Sequence, residues 1–357
     1  MNKLFKTALA GLMVVGLTGC GSSSSAAATA AASDAAATAA AADGGTLVIY
    51  SPNSDTEVDN IIPAFEKATG ITVQLVSAGT GECISRIQAE KDNPQGDVMW
   101  GGMNYGVYLQ DTSLWEDYTS PNESKIDENY RQGDVKAYSN YLLSGSGALI
   151  LNNALIKELG VTVEGYEDLL QPELKGKIAA ADPTKSSSAW AELTNMLYDM
   201  GDKPYDDKAW EYVKSYIGQL NGVQLESSSA VYKGVAAGEY AVGVSYEDPC
   251  VALLASGADV TVVYPKEGAI WLPSASAIIK GCQHEDAAKK FIDYLQSDEC
   301  QTIIAGLTVR GVNTSIPASN TYMKPLSEIN VVYEDIPYVA EHKAEWQEKY
   351  GNMFAGN

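Results

Sequence analysis

Histidine and cysteine are scarce. The 357-residue chain holds two histidines and five cysteines. His284 sits in the charged start of one predicted helix and His342 in the charged C-terminal helix, neither with a nucleophile or metal partner at a recognisable spacing. The G-x-S-x-G and H-E-x-x-H patterns and the dinucleotide-binding glycine fingerprint are all missing. The chain therefore reads as a non-enzyme with no metal site and no cofactor. A secreted hydrolase, whose serine and base would come from distant parts of the chain, is the remote alternative. Cys83, Cys250, Cys282 and Cys300 are too sparse for a disulfide scaffold and fit no zinc spacing. Cys282 and Cys300 flank a single predicted helix, where a bridge is geometrically open; free buried thiols are the expectation.

Positive charge is equally short. Lys and Arg total 24 against 46 Asp and Glu, a formal net charge of -22. Such a balance excludes nucleic acid as a partner and suits a protein that works at a surface. It leaves room for an anionic ligand, because a buried site answers to its local donors rather than to net charge.

An apolar run long enough for a lasting membrane span is also missing. The start of the chain has Lys3 and Lys6, the short run "ALAGLMVVGL" and then "LTGC", which together describe a secretory signal peptide over residues 1–20. "LTGC" resembles the bacterial lipobox, which makes Cys20 the lipidated first residue of the mature chain. Residues 21–45, "GSSSSAAATAAASDAAATAAAADGG", have no apolar period and almost no charge, so they read as a flexible linker.

From Thr46 onward about 310 residues of ordinary composition remain, more than one core usually serves. "TLVIYSP", "ITVQLVSAGTGE" and "GDVMWGG" each read as a strand with a polar or glycine loop at its carboxyl end, with helices following the first two. The alternation resumes with "ALILNN", "KGKIAAADP", the helix "AWAELTNMLYDM", the helix "DDKAWEYVKSYIGQL", a strand at "VQLESS", the helix "SAVYKGVAAG" and the strand "YAVGVSYEDP". "DVTVVYP", "SASAIIKG" and the helix "EDAAKKFIDYLQ" close the pattern. This order implies right-handed crossovers and mostly parallel sheets, with ligands gathering at the strands' carboxyl ends.

Three stretches, "GTGECISRIQAEKDNPQGDVMWGG", "EDLLQPELKGKIAAADPTKSSSAW" and "SASAIIKGCQHEDAAKKFIDYLQSDECQ", resemble the solute-binding components of ABC transporters, in the ferric-ion-binding-like branch of the type II periplasmic-binding fold. The resemblance implies an α/β protein of two lobes, each a mostly parallel sheet flanked by helices, with crossover strands as the hinge. The implied lobes are residues 46–145 with 274–312 and residues 146–273 with 313–357. It also implies an extracytoplasmic monomer, tethered to the membrane through its lipid, that captures a small anionic solute and hands it to an ABC permease.

The loops at the strand ends carry the candidate ligand contacts. In "DPTKSSSAW" a helix cap accounts for one serine hydroxyl. Serine is a mediocre helix former, so Ser186, Ser187 and Ser188 together point to phosphate or phosphonate oxygens at a helix start. Gly79, Thr80 and Gly81 offer a similar loop in the first lobe, and Ser51 and Asn53 are polar donors after the first strand; ordinary turns and caps are the competing reading for each. Gly101, after Trp100, would let a ligand approach, Trp100 itself being a core residue. Glu247 and Asp248 either contact a donor-rich ligand or stay solvated, and Trp271 either stacks on a sugar ring or fills the hinge. Arg310 is placed near a lobe edge, in reach of the anion or of acidic surface.

Iron binders of that branch use adjacent tyrosines, whereas here Tyr246 is followed by Glu247 and Asp248. The tyrosines of "YSNY" sit three apart in a strand, which alternation would put on opposite faces. The sequence thus favours a hexose phosphate, with an aminoalkylphosphonate next and ferric iron third.

Overall fold

A computed structural model of the chain describes residues 45–356. The expected signal peptide, Cys20 and all but the last residue of the expected linker lie outside the described residues. The expected alternation begins with β1 (Thr46–Ser51), whose Leu47 and Ile49 are fully buried. Ser54 then caps α1 (Asp55–Thr69): its hydroxyl accepts from the Glu57 amide while the Glu57 carboxylate accepts from the Ser54 amide. Gly70, at φ +72°, ends that helix in a left-handed conformation that a Cβ disfavours. There follow β2 (Thr72–Ser77), α2 (Thr80–Ala89), β3 (Val98–Met103), the single turn α3 (Tyr105–Tyr108), β4 (Trp115–Glu116) and β5 (Ser139–Gly145).

Only Ser146 and Gly147 separate β5 from β6 (Ala148–Asn152), which lies in a different sheet. The second sheet is completed by β7 (Ile178–Ala179), β8 (Val242–Ser245) and β9 (Val260–Val263), in the order β7-β8-β6-β9. Its helices are α4 (Asn153–Leu159), α5 (Ser187–Asp199), α6 (Asp207–Gln219), α7 (Ser228–Ala236) and α8 (Glu247–Ala255). β10 (Ala269–Ile279) then returns to the first sheet, followed by α9 (Glu285–Leu295), α10 (Asp298–Ala305), β11 (Arg310–Gly311), β12 (Val331–Val332) and α11 (Ile336–Ala355). The first sheet runs β11-β5-β10-β3-β1-β2, with β4 and β12 also on β10.

Each sheet is covered on both faces, as the layered α/β reading expects. In the first lobe Phe65, Phe291 and Ile304 pack one face, and Cys83, Ile84 and Ile87 pack the other. In the second, Trp190, Trp210 and Trp346 join α5, α6 and α11 on one face, while Val231, Val235 and Cys250 lie on the other. All four cysteines of the described region are free. Tyr141 of β5 is buried in the core on one face of the first sheet, and Tyr138, just before that strand, packs half-buried against the core on the other.

The sheets are mixed rather than mostly parallel: parallel pairing is confined to β1 with β2, β1 with β3, β10 with β12 and β7 with β8, because the long crossover strands enter each sheet against their neighbours. The crossover strands add antiparallel pairs: β10 runs against β3 and β5, and β6 against β8 and β9. Because β10 comes from the second lobe, β3 and its parallel neighbours point their carboxyl ends back toward it. Because β6 comes from the first lobe, β7, β8 and β9 point theirs the opposite way. The two sets of strand ends therefore face each other across the crossovers.

Four local expectations change. "VQLESS" forms only an isolated bridge at Leu225, since β7 offers just two residues of edge and Ser227 is already committed to capping α7. Glu247, Asp248 and Pro249 are the first turn of α8 rather than a loop; a proline there sacrifices no intrahelical hydrogen bond. The return crossing precedes Ala269 instead of following Pro273, because Trp271, Leu272 and Pro273 already pair with Gly145, Ser144 and Leu143. Residues up to Val332 also stay with the first sheet, through β12 on β10, so only the end of 313–357 belongs to the second lobe, where Val339, Trp346 and Tyr350 of α11 enter its core.

Candidate functional site

On the first lobe, the ends of β1, β2 and β3 close over one another. Ser51 is buried; its hydroxyl donates to the Trp100 carbonyl at 2.7 Å and accepts from the Asn53 amide at 3.1 Å. Asn53 Nδ2 donates to the Tyr141 hydroxyl at 3.0 Å. Gly101, at φ +81°, is there for Asn53: a Cβ would lie 1.8 Å from Asn53 Oδ1. Asn53 takes the space a side chain at position 101 would need, which is a packing reason for glycine there. Gly79 and Gly81 do face open space, with Thr80 at the first turn of α2 between them. Trp100 is a core residue, as expected.

On the second lobe, Ser186 caps α5, accepting from the Ala189 amide at 3.3 Å, and its hydroxyl lies 3.1 Å from that of Ser188. Ser187 is exposed. The same arrangement recurs at α7: Ser227 accepts from the Ala230 amide at 3.3 Å and lies 3.1 Å from the Ser229 hydroxyl. The signal was in the sequence, since "SSSA" occurs at residues 186–189 and again at 227–230. Lys185 lies between Asp182 at 3.6 Å and Glu226 at 3.7 Å, an exposed cation beside both helix starts. Each start presents unpaired amides and a partial positive charge. Behind Ser188, Glu192 is buried with one oxygen unpartnered, and burial pushes its carboxyl well above the usual range.

Tyr246 immediately precedes α8 without a side-chain capping bond and lies edge-on to Tyr232 at 6.4 Å. The two acids after it part company. Asp248 accepts from the Thr308 hydroxyl and lines a cleft of about 350 Å³ together with Glu57, Tyr232, Pro249 and Thr308, residues drawn from both lobes. Burial raises both the Asp248 and the Glu57 carboxyl above their ordinary values. Glu57 and Thr308 carry no sequence signature beyond a helix cap and a loop hydroxyl.

Glu247 is turned inward instead, 1% exposed, with Arg310 Nε at 2.8 Å and the Tyr264 hydroxyl at 2.5 Å. Trp271 is 2% exposed, donates Nε1 to Glu247 at 3.1 Å and stacks on Tyr264. Neither is free to meet a solute: the carboxylate's oxygens are already taken by donors and the indole face is covered. Arg310 likewise serves Glu247 rather than an anion.

The profile of a family described as bacterial extracellular solute-binding protein matches residues 60–326. The chain belongs to this family. As such it is a solute-binding protein of an ABC transporter, not an enzyme, and acts outside the cytoplasm. Among the described residues no helix is long and apolar enough to cross a membrane. The chain is 25% identical over 255 residues to a putative 2-aminoethylphosphonate-binding periplasmic protein of Salmonella typhimurium, covering 69% of this chain and 70% of that one. The solved periplasmic binding protein AfuA of Actinobacillus pleuropneumoniae, with fructose-6-phosphate bound, is similar at 25% identity and a TM-score of 0.70, covering 87% of this chain and 99% of that one. The Trichodesmium iron-binding structure IdiA (FutA), with iron and citrate, shares the fold at 21% identity and a TM-score of 0.70, with 87% and 99% coverage. The solute-binding protein is thus of the two-lobed type II fold and of the ferric-binding-like branch.

Proposed function

We propose that this protein captures a small phosphorylated solute, with a hexose phosphate preferred, between its lobes and delivers it to an ABC permease. The observation that carries the reading is the pair of serine-capped helix starts, Ser186–Ser188 and Ser227–Ser229, side by side at the carboxyl ends of the second sheet. Hydroxyls and free amides there suit three phosphate oxygens. Ring hydroxyls of the same molecule would extend from the serines, which lie outside the lining of this cleft, past Tyr232 of α7 to the Glu57 and Asp248 carboxylates that line it, and its size suits a small solute. The printed ligand of the Actinobacillus neighbour supports this class. Thr80 with Gly79 and Gly81, Asn53, and Tyr246 are the remaining candidate contacts.

An aminoalkylphosphonate is the second reading, favoured by Glu57 and Asp248 themselves: among the described residues neither carboxylate pairs with a cation, and an ammonium would supply one. Closure follows from contact with both lobes, which gives the closed state its differential affinity. Cys20, lipidated, would hold the monomer at the membrane on its linker.

Thermal-shift screening separates the readings. A ligand at 100 times its dissociation constant adds about 2.7 kcal/mol. Stabilisation by fructose 6-phosphate or glucose 6-phosphate is expected. Stabilisation by 2-aminoethylphosphonate alone selects the second reading, and stabilisation by ferric citrate with no response to organophosphates or phosphonates overturns both.

A further inference from the structure

Arg310 and Glu247 come from opposite lobes. Arg310 sits in β11, paired with Leu143 of β5 in the first sheet. Glu247 is the first residue of α8, which follows β8, packs on β9 and β6 of the second sheet and also reaches β5 of the first. The carboxylate accepts from Arg310 Nε at 2.8 and 3.1 Å and from Nη2 at 2.5 Å. It also accepts from the Tyr264 hydroxyl at 2.5 Å and from Trp271 Nε1 at 3.1 Å. Arg310 Nη2 donates in addition to the Lys324 carbonyl at 2.7 Å, and the guanidinium lies 5.3 Å from the Trp271 ring centroid. Arg310 is 4% exposed and Glu247 1%.

The pair stands where the chain crosses between lobes. Tyr264 and Trp271 bracket the return crossing from β9 to β10. Gly145 ends β5 at the outward crossing, and a Cβ on it would lie 2.6 Å from Trp271 Nε1 and 3.1 Å from Glu247 Cβ. Both crossings and the first turn of α8 therefore meet at one buried point where both Glu247 oxygens are hydrogen-bonded. Separating the charges would leave each buried and unpaired, which is strongly unfavourable, so a rearrangement that keeps the pair keeps the lobes joined at this point.

We infer that the Arg310–Glu247 pair is the pivot of lobe closure and that Arg310 is a positioning residue for solute capture. It holds the first turn of α8, and with it Tyr246 and Asp248, against the first sheet while the rest of the second lobe swings. The serine-bearing helix starts then travel and the α8 contacts stay in place. A residue serving core stability alone would leave the interlobe geometry unchanged.

The test is the interlobe distance distribution of the ligand-free full chain, measured by pulsed electron resonance. Nitroxides are carried by unnatural amino acids at exposed Lys91 in the first lobe and exposed Lys214 in the second. Two variants are compared with the parent. Arg310→Met with Glu247→Met removes both charges at similar bulk, and Arg310→Lys keeps the charge but loses the planar fork. A pivot predicts a distribution that is broader and shifted to longer distance in both, with helix content and cooperative melting retained. Distributions superimposable on the parent's overturn the inference. If the double variant does not fold, Arg310→Lys decides by the same criterion. The readout needs no solute, so it stands or falls separately from the ligand class.

Discussion

Ala181 and Leu225 form an isolated parallel bridge, with the Leu225 amide donating to the Ala180 carbonyl at 2.9 Å and the Asp182 amide to the Leu225 carbonyl at 3.2 Å. That contact sets the starts of α5 and α7 at one edge of the second sheet. A lone capped helix is ordinary; two identical capped starts held together make a local field of amides and hydroxyls suited to an anion.

Capping and binding separate by mutation. Ser186→Ala and Ser227→Ala each remove a hydroxyl that satisfies a first-turn amide, and each should cost about 1 kcal/mol in urea unfolding. Ser187→Ala removes an exposed hydroxyl with no helix partner and should cost nothing, since alanine is the better helix former. Equal losses at all three positions would mean that the hydroxyls do something other than cap.

Glu57→Gln and Asp248→Asn test the other side of the cleft. Glutamine still completes the capping box at Ser54, and asparagine still accepts from Thr308, so stability should hold. Affinity for a solute bearing an ammonium group should fall about tenfold or more, because a charge-assisted hydrogen bond is lost. Affinity for fructose 6-phosphate should fall less. Calorimetric titration of both solutes reads the difference, and equal losses would remove the carboxylates from solute discrimination.

Much of this was legible in the sequence. Strand, loop and helix alternate with clear periods, and the polar residues at strand ends, from Asn53 and Thr80 to Ser186, mark the facing loops. The inward turn of Glu247 was not legible, because its partner Arg310 lies 63 positions away and periodicity carries no long-range pairing. Trp271 was ambiguous for the same reason: its burial depends on Tyr264, Arg310 and the missing Cβ of Gly145. Ser227–Ser229 repeats an already conspicuous pattern, yet it is masked by the β-like "VQL" before it, which suggested a strand running into the serines.

Asp199, the last residue of α5, and Glu334, against Thr194 of the same helix, make stability depend on pH. Burial, with Glu267 nearby, raises the Asp199 carboxyl to about 7, and burial, with Asp335 nearby, raises that of Glu334 to about 7. In the unfolded chain both titrate near 4, so the native state retains protons that the unfolded state sheds. Their contribution to stability is therefore full below about pH 4 and is lost as pH rises through about 7. Asp199→Asn with Glu334→Gln should flatten the decline of the melting temperature over that window in scanning calorimetry. An unchanged slope would mean that these groups do not titrate on unfolding.

The central claim is that an organophosphate is held by the serine-capped helix starts, and calorimetric titration of fructose 6-phosphate into the parent and into Ser186→Ala/Ser187→Ala/Ser188→Ala tests it most directly. One-to-one binding by the parent, lost in a triple variant that still melts cooperatively, is the predicted result. Undiminished binding by the triple variant would place the phosphate elsewhere and contradict the claim.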